Sequence, residues 1–493
     1  MSYNFCDEYG RPYVLIREQE TRKKTEEKNV LLENINNFCA IVDTLSTSVG
    51  PFGADKAIIS ADGEVTITND GATILKEMDI EGSPMGRLIT QLSTAQDDEV
   101  GDGTTSIVII AASLLREAGK LATKGMHPLK IIRGYEEALE IALGVIDANS
   151  TCPEEKELRG MMEKIAQSTL SSKVVSRDIE NYIKIAIEAV EAVQDVRGEA
   201  NLELIKIEGE TKMGESELIK GVYISKEFSH FQMNKNIPDA QIAILACPFE
   251  PPKVKAKHDL NITTAEEFQE LSAYEKKIFA DMIETIKRSG ANVVLCQWGF
   301  DDEANSLLMQ AGVSAVRWVG AQELEMAAIH TGAHIISRFE DLTENSLGRG
   351  CVSEESGSIR IKNPDKTSAV TILVRGGTSA IIEETKRSIR DVLCAVRNVI
   401  RDPKVVQGAG NIDMLCADAV KKGMPGSIGR GYAKALQELP MALARNMGED
   451  PITKIFEGIA GDVWEGAYSK KHQLTLATQT VKSIIRIDDV FGV

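Results

Sequence analysis

The sequence has no CxxC pair and no His/Cys cluster at zinc spacing. Its eight cysteines (Cys6, Cys39, Cys152, Cys247, Cys296, Cys351, Cys394, Cys416) are scattered and its six histidines dispersed. That pattern argues against a metal held by protein nitrogen or sulfur. No apolar run reaches membrane-spanning length. The opening MSYNFCDEYGRP is polar and carries no signal-peptide core. Together with the scattered cysteines, this predicts a cytoplasmic protein with reduced thiols. Basic residues are in deficit, with 56 Lys+Arg against 74 Asp+Glu and a net charge of −18. That balance argues against a nucleic-acid or membrane partner. There is no internal repeat, no low-complexity tract and no GxxxxGK[ST] phosphate loop.

What is present is an ordinary globular composition, 43% hydrophobic and 26% charged, in 493 residues. That length is too great for one core. The first third reads as helical, with a stretch from Leu31 to Thr47 ended by Gly50-Pro51-Phe52-Gly53. Ala61-Asp62-Gly63 joins two short β-like runs, a hairpin signal. Met85, Leu88, Ile89 and Leu92 share one helical face, and Ile107, Ile110, Ala111, Leu114, Leu115 and Ala118 another. Between 201 and 380 the pattern changes. LELIKIEG, GVYISK, AQIAILAC, NVVLCQW and AVTILVRGG are strand-like and alternate with helices such as Ala265–Arg288. After Arg401 the chain is helical again and closes on the strand-like SIIRIDDVF. An α/β middle between helical ends predicts a helical domain built from both termini.

Gly101-Asp102-Gly103-Thr104-Thr105 is the most chemically suggestive segment. Two glycines around an aspartate let backbone pass close to a ligand, and the helix that follows aims its N–H groups at the turn. Asp102 offers a hard oxygen suited to Mg²⁺, and Thr104 and Thr105 offer hydroxyls. Taken alone the segment reads equally as a turn with a helix cap. Three more small-residue turns stand beside it: Ser48-Val49-Gly50-Pro51, Asn69-Asp70-Gly71-Ala72-Thr73 and Gln407-Gly408-Ala409-Gly410. Four such turns, two bearing aspartate, exceed what a fold ordinarily needs.

SVGPFGADK, VTITNDGATIL, QDDEVGDGTTSIVIIAASLL, HPLKIIRGYEEA, RSIRDVLCAVRN and IIRIDDV together resemble a group II chaperonin subunit. FSHFQM, AILACPFEPPK, YEKKIF, ANVVLCQWGFDDEAN and AVRWVG resemble the epsilon class of the eukaryotic cytosolic chaperonin. The resemblance covers nearly the whole chain. It implies a multidomain α and α/β chaperonin fold. A helical equatorial ATP-binding domain would comprise 1–150 and 404–493. An α+β intermediate domain would comprise 151–218 and 366–403, and an α/β apical domain 219–365. The PFEPPKVKAKHD loop and the helix after it would form a built-in lid protrusion.

The resemblance also implies ATP and Mg²⁺ as ligands, with Asp102 on the metal and Asp70 and Asp391 handling the attacking water. Gly50, Pro51, Gly71, Gly103, Thr104, Thr105 and Gly410 would contact nucleotide, and Lys173 would sense the terminal phosphate. Partners would be paralogous subunits in an eight-membered double ring, edged by the hairpin and a terminal strand Ile484–Val490. Unfolded clients such as actin and tubulin would meet the apical stretch Gln322–His330. Two departures stand out. Ala409 and Asp413 replace a glycine and a glutamate of the family pattern, and a positive φ at Ala409 would strain it. The C-terminal region is short, so the segment carrying an acidic ribose contact is expected to be missing. Asp462, in DVWEG, is then the candidate at the adenosine end.

Overall fold

The computed structural model describes residues 4–487 apart from 7–11, 15–26, 60–62, 64, 79, 81, 174–177, 196–197, 213, 251–263, 364–366 and 454–461. A short antiparallel pair, β1 (Asn4–Cys6) and β2 (Pro12–Val14), precedes α1 (Glu27–Leu45). The expected hairpin follows as β3 (Lys56–Ile59) and β4 (Val65–Thr68). Then come α2 (Gly71–Glu77), α3 (Pro84–Glu99), α4 (Thr104–Thr123) and α5 (Pro128–Asn149). Every residue of α4 from Ile107 to Leu115 is buried. A helix apolar all round has to be central, and α1, α3 and α5 pack on it.

The chain then leaves this body. α6 (Glu155–Ser171), α7 (Ile179–Val193), β5 (Ile205–Glu210) and β6 (Glu217–Ile219) start a second core. A third is built on β7 (Val222–Ile224), β8 (Asn236–Leu245), α8 (Ala265–Ser289), β9 (Val293–Cys296) and α9 (Asp302–Gln310). It continues through β10 (Ser314–Val316), α10 (Ala321–Thr331), β11 (Ile335–Ile336), β12 (Gly348–Glu355) and β13 (Ser358–Lys362). Its strands run in the order β10-β9-β8-β12-β13-β7, parallel across β8, β9 and β10 and antiparallel beyond. The four-residue β9 is buried throughout, as expected for a parallel strand covered on both faces.

β14 (Val370–Arg375) returns to the second core, parallel to β5 and antiparallel to β6, and α11 (Ser379–Arg401) packs on α6 and α7. The first core is completed by β15 (Val405–Gln407), α12 (Asn411–Gly423), α13 (Ser427–Leu436), α14 (Glu438–Asn446), β16 (Trp464–Gly466) and α15 (Ala467–Ile485). Phe38, Ile110 and Tyr135 share that core with Val406, Tyr432 and Leu474, so both ends of the chain build one interior.

Two expectations need comment. The closing SIIRIDDVF is not a strand at its start: Ile484 and Ile485 form the last turn of α15, buried with Leu474, Ala477 and Val481. Their helical spacing outweighs the β-branched composition of a short run. Residues 488–493 lie outside the described residues, as does most of the lid loop, 251–263. Among the described residues Cys39, Cys152, Cys247, Cys296, Cys351, Cys394 and Cys416 are free thiols, and no helix is long and apolar enough to cross a membrane.

Candidate functional site

The glycine-rich turns meet around one cavity of about 350 Å³. Gly101 and Gly103 hold φ of +70° and +75°, which only glycine adopts without cost, and Gly103 caps α4. Gly410, at φ +79°, caps α12. The N-termini of α4 and α12 therefore share one cavity, an arrangement suited to an anion. Gly50 and Pro51 form another wall, where Asn446 Nδ2 donates to the carbonyls of Ser46 (3.0 Å) and Val49 (2.8 Å). Gly71 is not in the wall. It lies behind it, where a Cβ would stand 2.5 Å from Thr105 Oγ1.

Asp70 caps α2. Its Oδ2 accepts from Thr73 N (2.9 Å) and Thr73 Oγ1 (2.8 Å), and its Oδ1 from Thr104 Oγ1 (2.9 Å). Burial pushes this carboxyl up, but Lys173 and the Thr73 and Thr104 hydrogen bonds outweigh it and hold it below its usual range. Asn69 Nδ2 donates to Ser172 O, which pins the end of α6 beside Lys173. Lys173 Nζ meets Asp391 Oδ2 at 2.8 Å. Burial, reinforced by Asp70, pushes Asp391 up to about 7 against the pull of Lys173.

Asp391 comes from the second core and reaches the cavity because α11 is docked on the segment leading into GDGTT. Asn398 Nδ2 donates to Val100 O (2.8 Å) and Arg397 Nη2 to Glu99 O (3.2 Å). Cys394 fills the space a side chain at Gly101 would need, 2.5 Å from the position of a Cβ there. Gln96 Nε2 donates to Asp102 O (2.7 Å), and His472 Nδ1 lies 2.8 Å from Gln96 Oε1. Burial and the charge of Glu465 raise the Asp102 carboxyl, and among the described residues it has no ion-pair partner.

The structure thus brings Gly50, Pro51, Asp70, Asp102, Gly103, Thr104, Thr105, Lys173, Asp391 and Gly410 to one cavity. Asp462 is not among them. It is drawn outward by Lys164 (2.5 Å) and accepts from Trp464 Nε1 (2.5 Å). The acidic wall residue beside the 408–410 turn is Glu465, on β16, whose Oε1 accepts from Ala409 N at 3.3 Å. A carboxylate therefore faces the 408–410 turn from a strand other than the segment expected to be missing. The antiparallel register Val406↔Glu465 places it there, and that register is invisible without the fold.

Asn69, also in the wall, opens a turn already singled out, whereas the wall residues Lys470 and Gln473 lie in an unremarkable helical run and went unnoticed in the sequence. Asp413 does not line the cavity: it is 1% exposed and pairs with Lys470 at 2.7 Å. Ala409 sits at φ +56°, so the condition under which its methyl is strained is met. Ala409→Gly should stabilise the fold by about 1 kcal/mol, read as a higher unfolding midpoint; an unchanged or lower midpoint would show that the strain is absent.

Among the described residues no group of three or more His, Cys, Asp or Glu can cage a metal. The donor set nevertheless fits Mg²⁺ bound with phosphate, because that ion takes one or two carboxylates and fills its shell with phosphate and water oxygens. Asp102, which forms no salt bridge among the described residues though Lys173 and Lys470 act on it from further off, is the carboxylate available.

Residues 41–457 match the TCP-1/cpn60 chaperonin family. The chain is 45% identical to T-complex protein 1 subunit epsilon of Encephalitozoon cuniculi, across 99% of each chain. It is 34% identical to thermosome subunit alpha of Aeropyrum pernix, over 98% of this chain and 94% of that one. A thermosome subunit of Methanocaldococcus jannaschii is also 34% identical, over 98% and 95%. With a match over most of its length and relatives aligned almost end to end, the chain belongs to the TCP-1/cpn60 chaperonin family.

Proposed function

We propose that this chain is an ATP-hydrolysing subunit of a cytoplasmic double-ring chaperonin, with paralogous subunits as neighbours and unfolded proteins such as actin and tubulin as clients. The observation that carries the reading is the convergence of Asp70, Asp102, Lys173 and Asp391 with two helix N-termini on one cavity. The first core would be the equatorial domain, the second the intermediate and the third the apical. The hairpin supports ring assembly: Ile59, Val65 and Ile67 are exposed apolar residues on an open two-stranded edge.

The N–H groups opening α4 and α12 would take the phosphates, with Thr104 and Thr105 hydroxyls beside them. Mg²⁺, held by Asp102, would supply positive charge to the phosphate oxygens. Asp70 stays ionised and, with Thr104, would orient the attacking water. Asp391 would accept that water's proton as its oxygen bonds to the terminal phosphorus and the bridging P–O bond breaks. Lys173 would exchange Asp391 for the terminal phosphate.

This assignment carries a pH dependence. Asp391 must be ionised to act, and its carboxyl is raised to about 7. Turnover should therefore climb as pH rises through about 7 and level off above it. The stability effect has the opposite sign. The folded state binds this proton more tightly than the unfolded chain, so the contribution is full below the unfolded value and is lost as pH rises through the folded one. A turnover profile flat from pH 5.5 to 8.5 would overturn the role. Strain at Ala409 favours a second reading, a ring subunit that binds nucleotide weakly and hydrolyses little. Micromolar MgATP affinity in a direct titration would dismiss it.

A further inference from the structure

The geometry points to Gln473 as a further positioning residue, an acceptor for water carried by the divalent cation; this rests on the nucleotide–cation reading of the cavity. Gln473 lies on α15, which packs against α3 and α4 beneath the GDGTT turn. Its side chain is 4% exposed. One end of the amide lies over Gly103: a Cβ there would stand 1.9 Å from Nε2, and the same nitrogen donates to Ser469 Oγ at 3.3 Å. The other end, Oε1, is buried without a hydrogen-bond partner, in a residue that lines the cavity.

A buried acceptor with no donor costs about 1–3 kcal/mol. Folds keep few of them, and a ligand is one reason. An amide oxygen only accepts. Phosphate oxygens also only accept, so the missing partner is not the phosphate chain itself. It is a donor, and the residue next to Gly103 is Asp102, the carboxylate available to the cation. Water on a bound divalent cation donates strongly, and outer-shell acceptors of this kind orient it. Gly103 thus serves two ends. It adopts φ +75°, and it leaves the space that the amide occupies beside the turn.

The test uses the full chain with Mn²⁺ as probe. Mn²⁺ is titrated by electron paramagnetic resonance in the presence of ADP, and ADP affinity is measured separately in EDTA. Gln473→Met keeps the length and removes the acceptor. It should weaken Mn²⁺ about tenfold and leave metal-free ADP affinity unchanged, while Gln473→Glu should restore Mn²⁺ binding or exceed the parent. Two results would overturn the proposal: Mn²⁺ affinity of the Met variant within about twofold of the parent, or an equal loss of ADP affinity in EDTA, which would make Gln473 only a brace for Gly103. Should the Met variant not fold, the Glu variant decides alone: parent-like or tighter Mn²⁺ binding supports the role and weaker binding overturns it. ADP binding that ignores Mn²⁺ in the parent would instead sink the nucleotide–cation reading itself.

Discussion

Asp391→Asn will lower ATP turnover by about 10²–10⁴-fold, the range that a positioned proton acceptor contributes, while nucleotide binding persists. The prediction follows from how the two walls of the cavity differ. The binding wall consists of GDGTT, the Gly50 turn and the Gly410 turn, all from the first core. Asp391, the proposed proton acceptor, stands on α11 in the second core, paired with Lys173 at 2.8 Å. Asparagine keeps the shape and an oxygen for Lys173, so the substitution leaves that ammonium partly satisfied, which alanine would not. Released from a full charge, Lys173 is freer to meet a terminal phosphate, so ATP affinity should hold or tighten. Single-turnover hydrolysis beside a binding titration checks both halves. Unchanged turnover would remove Asp391 from the chemistry.

Asp102→Ala should be as damaging by another route. It removes the carboxylate that would hold Mg²⁺, and a cation on phosphate oxygens is worth several kcal/mol, or about 10³-fold in rate. Its distinguishing sign is in the metal-free protein. Burial and Glu465 raise the Asp102 carboxyl against the pull of the Gly103 N–H, Lys173 and Lys470, so ionising it in the metal-free protein opposes folding. Removing it should raise the unfolding temperature in EDTA even as turnover collapses and nucleotide binding stops responding to Mg²⁺. A damaged fold would instead lower both stability and activity. An unaltered Mg²⁺ requirement would show that the cation is held elsewhere.

The glycine turns of the candidate site were legible because their demands are written locally. Gly101, Gly103 and Gly410 stand at positive φ, and Asp70 caps the helix that begins at the next residue. Such demands leave short signatures. Asp391 left none. It is one polar residue on a strongly amphipathic helix, and it matters because Cys394, Arg397 and Asn398 seat that helix on residues 99–101. Only the family resemblance pointed to it. Glu465 was passed over for Asp462 because motif spacing cannot register two strands far apart in the chain, whereas the β15–β16 pairing does so directly. The alternation of strand and helix between 201 and 380 was readable, since buried parallel strands are apolar runs. The start of the final run was misread, because Ile484 and Ile485 suit a strand by composition and a helix by spacing.

The seat of α11 on Val100 and Gly101 has a further consequence. Any departure of that helix would take away the proposed proton acceptor and leave the proposed phosphate cradle whole. The chain could then store a nucleotide without consuming it, and its clock would run only while the two bodies touch. Observed turnover is the chemical rate multiplied by the fraction of time the seat is occupied. A substitution at Asn398, which makes no contact with the cavity, would therefore slow the clock without altering its mechanism.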